Sequence, residues 1–104
     1  MRIFHVATAA DWAAARASGA YTTSTRGVSL ADEGFIHASR EDQWPGVRER
    51  FYADVTEPLV LLEIDPVLLT AEVREEHVPG TSERFPHVYG PIDLRAVVGT
   101  RALG

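Results

Sequence analysis

Leu59-Val60-Leu61-Leu62-Glu63-Ile64 is the most apolar run in the chain, and its reading decides the fold. An unbroken apolar run of this kind fits a central strand covered on both faces. Downstream, Asp65-Pro66 begins a turn and residues 67–69 fit one helical turn. Residues 73–78 alternate weakly as a strand, 79–84 form a loop, 85–89 read as a short strand ended by Gly90-Pro91, and 97–102 as the last strand. Upstream, Ser39 is predicted to cap a helix with Asp42 at its third position. Trp44, Val47 and Phe51 share one face of it, and Pro45 lies near the first turn. Residues 34–38 form a short strand, and the hydroxyl-rich stretch 20–33 reads as a loop with a short turn. The alanine-rich run 9–18 is a helix capped by Thr8, with Asp11 as its partner, and stopped by Gly19. Residues 2–7 open the chain as a strand, with Ile3 and His5 on one side and Phe4 and Val6 on the other.

Two helices followed by a run of strands predict an α+β fold. The expectation is one small domain over residues 1–104, with a mixed or split β-sheet, helices packed on it, and Trp12, Trp44 and Phe51 in the core. Hydrophobic residues make up 45% and charged residues 24% of the chain, an ordinary globular balance. The absence of a long apolar run and of a leader-like start points to a cytoplasmic protein with no membrane partner. There is no cysteine and no lysine. Thiolate and Schiff-base chemistry and Cys-ligated zinc are therefore excluded. A net charge of −5 argues against broad nucleic-acid binding, while a local arginine pocket for one phosphate stays open.

Three of the four histidines lie in strand-like segments beside apolar or small neighbours: Phe4-His5-Val6, Ile36-His37-Ala38 and Pro86-His87-Val88. A buried imidazole costs free energy unless its ring nitrogens find partners. Either each histidine pins a nearby carbonyl, or the three converge on one cleft with Tyr89 at its wall. A three-histidine zinc site would need such convergence, but no local His-x-x-x-His or His-x-His pair supports it, and no metal is expected. Ser39 lacks the glycine setting of a hydrolase elbow. Glu33, the Glu75-Glu76 pair and His77 read as solvated; Glu63 is a further candidate acid.

His5, the Asp11-Trp12 to Gly19 helix, Gly34-Phe35-Ile36-His37-Ala38-Ser39, Leu61-Leu62-Glu63-Ile64-Asp65-Pro66 and Phe85-Pro86-His87-Val88-Tyr89-Gly90-Pro91 together resemble the bacterial domain-of-unknown-function family 952. The resemblance covers nearly the whole chain, and it extends to the ADP-ribosyltransferase-like superfamily, a split-sheet α+β fold that binds NAD. In those terms His5 takes the place of the histidine that holds the nicotinamide ribose, and His37 the place of the residue stacked near the nicotinamide. The strand glutamate of such enzymes has no counterpart in residues 85–89, so His87 or Tyr89 would have to serve.

The resemblance implies an enzyme directed at NAD or a related ribonucleotide, with NAD as substrate and a small-molecule nucleotide as partner, in a monomer or small homo-oligomer. His5, His37, His87 and Tyr89 are the expected catalytic residues. Arg26, Arg84 and Ser39 are the expected ligand-binding ones. The alternative is a non-catalytic nucleotide-binding or interaction module that kept the fold without transferase chemistry. A third reading, a scaffold whose histidines serve only the core, requires that they share no cleft.

Overall fold

The computed structural model describes residues 1–103. Strand β1 (Ile3–Thr8) runs into helix α1 (Ala9–Ser18). The Thr8 hydroxyl accepts the Asp11 N–H at 3.1 Å, and Gly19, at φ 98°, closes the helix in the left-handed region. The stretch expected as a loop then folds into strands β2 (Ala20–Tyr21), β3 (Thr23–Thr25) and β4 (Val28–Ser29) and the one-turn helix α2 (Leu30–Glu33). Its threonines and tyrosine suit extended backbone, Gly27 turns the β3–β4 hairpin at φ 71°, and the Ser29 hydroxyl caps α2. Strand β5 (Ile36–His37), helix α3 (Trp44–Tyr52) and strand β6 (Leu59–Ile64) follow. The chain ends in strands β7 (Glu72–His77), β8 (Arg84–Tyr89), β9 (Ile92–Asp93) and β10 (Val97–Ala102), with short 3-10 turns at Pro66–Leu68 and Leu94–Ala96.

The fold is α+β, and its sheet is split. One three-stranded sheet has the order β1-β6-β10 and the other β5-β8-β7, with two-stranded pairs β2-β9 and β3-β4 beside them. All these pairings are antiparallel. The apolar run 59–64 is the central strand of the first sheet, covered on both faces. Leu62 and Ile64 join Ile3, Ala7 and Ala15 in one core, while Leu59 and Leu61 join Phe4, Val6 and Tyr52 in another. A bridge ties the two main sheets, with Phe4 and Ser39 exchanging two main-chain hydrogen bonds of 2.7 Å.

Two expectations around α3 are corrected. Ser39 caps no helix, because its main chain is taken up by the bridge to Phe4. Helix α3 starts five residues later, and Gln43 occupies the N-cap position with its side chain turned elsewhere. Phe51 is not a core residue. Trp44 and Val47 pack partly buried against the second core, but in the last turn Tyr52 takes the inward place and Phe51 is 50% exposed. Trp12 packs partly buried against the first core. No helix among the described residues is long and apolar enough to cross a membrane.

Candidate active site

The histidines gather where the two main sheets part. His5, on β1, is buried, and both its ring nitrogens are engaged: Nδ1 donates to the main-chain carbonyl of His37 at 2.5 Å, and Nε2 accepts the Tyr21 hydroxyl at 2.8 Å. A carbonyl can only accept, so the ring carries its proton on Nδ1. Burial lowers the His5 pKa to about 4, against a smaller opposing effect of the His37 carbonyl, so the ring is neutral near pH 7. Tyr21, read in the sequence as a polar loop residue, is 1% exposed, and burial raises its pKa.

His37 lies half-buried on β5, directly across from His87 on β8, which in turn faces Arg74 on β7. Ile36 and Val88 fill the core side of this sheet, so His37, His87 and Arg74 share its outer side, with Phe85 and Tyr89 two residues away on either flank of His87. His37 and His87 meet edge to face with ring centroids 5.1 Å apart. The His37 Nε2 donates to Glu33 at 3.2 Å; burial lowers the His37 pKa and Glu33 opposes that shift.

His87 is 4% exposed. Its Nδ1 donates to Glu76 Oε1 at 2.8 Å, the Tyr89 hydroxyl donates to the same oxygen at 2.6 Å, and its buried Nε2 has no hydrogen-bond partner. Phe35 stacks on the ring. These bonds, Tyr89 first and His87 second, lower the Glu76 pKa, and Glu76 raises that of Tyr89. Glu76 was missed in the sequence because Glu75-Glu76 has the look of a solvated acidic face. Glu75 does pair with Arg40 at 2.8 Å, but the neighbouring carboxylate is half-buried against β8. Strand alternation, which puts the two on opposite faces, was the available signal.

Beside this cluster a cavity of about 630 Å³ opens between helix α3, loop 78–83 and the strap 37–39. Its size is that of a small-molecule site. His5, His37, Ser39 and Phe85 line one side, and Arg50, Phe51 and Tyr52 the other. Gln43 holds the loop to α3: its Oε1 accepts the Arg40 N–H at 2.9 Å, and its Nε2 donates to the Arg84 carbonyl at 3.0 Å and to Glu83, another lining residue, at 3.2 Å.

The structure thus brings His37, His87 and Tyr89 together and joins His5 to them through the His37 main chain. The cavity is lined by His5 and His37, while His87 and Tyr89 lie outside its lining, so the single pocket expected for all three histidines is not formed. Ser39 is on the cavity wall. Arg26 is not: its guanidinium is held by Asp54 at 2.6 Å and raises no wall of the cavity. Arg84 is exposed at the start of β8, also outside the lining. Arg50, Phe51, Gln43, Glu83 and Phe85 are among the lining residues that the sequence did not single out for a ligand. Among the described residues no three His, Asp or Glu side chains are grouped as a metal would require.

The family profile described as "Protein of unknown function (DUF952)" matches residues 6–100. The crystal structure of protein CC0527 from Caulobacter crescentus is 31% identical, with a TM-score of 0.84, over 100% of this chain and 87% of that one. The solution NMR structure of CC0527 is 30% identical, with a TM-score of 0.75, over 96% and 82%. No curated protein matches the chain.

Proposed function

The chain belongs to the DUF952 family, and from that premise we propose that it is an ADP-ribosyltransferase-like domain that binds and acts on NAD or a related ribonucleotide. The observation that carries this reading is the cavity of about 630 Å³ at the parting of the two sheets, lined by His5 and His37 on one side and by Arg50 and Phe51 on the other. A nucleotide needs both an aromatic surface and a cationic group, and the cavity offers both without a basic protein surface.

In this reading His5 acts through position. Its ring fixes the His37 carbonyl and so the strap that forms the cavity wall. His37 meets the base or the nicotinamide side of the ligand, and Ser39 offers a hydroxyl beside it. His87, aligned by Glu76 with Tyr89 on the same carboxylate, packs against His37 on the same side of the sheet. Cleavage of NAD at the ribose develops positive charge on the ribose carbon, which a carboxylate stabilises best. Residues 85–89 carry none, but Glu83, just before β8, brings one to the cavity wall.

The test is a thermal-shift series with NAD, ADP-ribose, AMP and ATP, followed by assay of nicotinamide release. A ligand at about 100 times its dissociation constant adds roughly 2.7 kcal/mol to stability. The absence of a shift with every one of these compounds at millimolar concentration ends the reading. One observation favours the second reading, a binding module without transferase chemistry: both ring nitrogens of His5 are engaged inside the protein. NAD binding with no nicotinamide release decides for it.

A further inference from the structure

We propose that Phe51 and Arg50 form the recognition subsite of the cavity, the Phe51 ring stacking on the base of a nucleotide and the Arg50 guanidinium pairing with its phosphate. This rests on the reading of the cavity as a nucleotide site, and it assigns the end of the cavity that reads the ligand.

Phe51 is a large apolar side chain that the fold leaves half in water. At 50% exposure it lines the cavity, whereas its neighbour Tyr52, at 5%, makes the contact of that helical turn with the core. Packing therefore does not account for an aromatic ring at position 51. A planar base laid on the ring takes its free face out of water, and such stacking tolerates different bases.

Arg50 lines the cavity without a carboxylate partner; Arg16, Arg84 and Arg101 also pair with no carboxylate among the described residues, but they lie outside the lining. Arg2 is held by Asp65, Arg26 by Asp54, Arg40 by Glu75 and Arg74 by Glu72, and Arg48 donates to the Leu103 carbonyl. Arg50 has no carboxylate partner among the described residues, in a chain with 15 acidic and 10 basic residues. Its guanidinium carbon lies 5.8 Å from the centroid of the Phe51 ring. A base seated on that ring therefore carries its phosphate within reach of a guanidinium that no carboxylate pairs among the described residues.

The test is calorimetric titration of the full chain with NAD, AMP, adenosine and ribose 5-phosphate. The wild type is expected to bind AMP more tightly than either fragment. Phe51→Ala and Phe51→Leu weaken AMP by about 10-fold, as loss of one base–aromatic stack should, and leave ribose 5-phosphate unchanged, while Phe51→Trp retains AMP. Phe51→Leu keeps most of the apolar volume, so a folding defect in Phe51→Ala leaves the test intact. Arg50→Gln abolishes the preference for AMP over adenosine. AMP bound equally by wild type, Phe51→Ala and Phe51→Leu, or an unchanged AMP preference in Arg50→Gln, overturns the subsite. If NAD is still bound in that case, the nucleotide reading of the cavity stands; a wild type that binds neither NAD nor AMP overturns both.

Discussion

The imidazole of His87 lies against the ring of Phe35, with centroids 4.2 Å apart and planes inclined by only 19°. Phe35 thereby roofs a histidine whose Nδ1 is held by Glu76 and whose Nε2 is buried without a partner. Phe35 is itself fixed from below, because the buried Ser24 hydroxyl donates to its carbonyl. The ring is thus presented in one orientation and one tautomer.

Removing the carboxylate should release that tautomer. In the wild-type protein, long-range proton–nitrogen NMR is expected to show His87 protonated on Nδ1. Glu76→Ala should give a mixture, and Glu76→Gln, which keeps an acceptor, should largely preserve the single form. An unchanged Nδ1–H signal in Glu76→Ala would show that the carboxylate does not orient the ring.

His5 should make stability depend on pH. Its folded pKa, about 4, lies below the usual value of 6.5, so the unfolded chain takes up the proton first. The contribution is fully present above pH 6.5 and is lost as pH falls toward 4. The span corresponds to about 3 kcal/mol at about 1.4 kcal/mol per unit. Urea melts at pH 7 and pH 4.5 should show a smaller acid loss in His5→Gln than in wild type; parallel losses would mean that His5 is not held neutral.

Binding should carry a second pH dependence, from His37. Burial lowers its pKa, while Glu33 opposes and the nearby His87 reinforces the shift. With the folded pKa below the unfolded one, the neutral ring prevails above the usual value and is lost as pH falls through the folded one. If the neutral ring meets a nucleotide base, affinity weakens in acid and His37→Phe flattens the dependence. Tighter binding in acid that disappears in His37→Phe would assign His37 to a phosphate instead.

Truncations should separate the core from the cavity rim. Leu62 is fully buried in the central strand, and Leu62→Ala should cost roughly 2–5 kcal/mol. Phe51→Ala, at a half-exposed position, should cost about 1 kcal/mol or less. Urea melts that rank the two the other way round would return Phe51 to the interior.

The parts of the fold that could be read from the sequence are those in which one strong local signal agrees with the tertiary structure. The run 59–64 is central because it is apolar throughout. The first helix obeys Thr8 and Gly19, and β10 spans Val97–Ala102 as its pattern requires. Strands of two residues, such as Ala20–Tyr21, are too short to show a period, so they passed for loop. The spacing of Trp44, Val47 and Phe51 correctly marks one helical face, but spacing cannot tell where the body beneath that face ends and a cavity begins. His37 and His87 were legible as candidates from their apolar surroundings. Glu76 was not, because its partners lie 11 and 13 residues away across a strand pair.

Strand β6 gives side chains to both cores, Leu62 and Ile64 to one and Leu59 and Leu61 to the other. It is also hydrogen-bonded along both edges. Loss of this strand would take side chains out of both cores at once. The two halves of the interior are thereby coupled through one element, and the expected unfolding is a single cooperative transition.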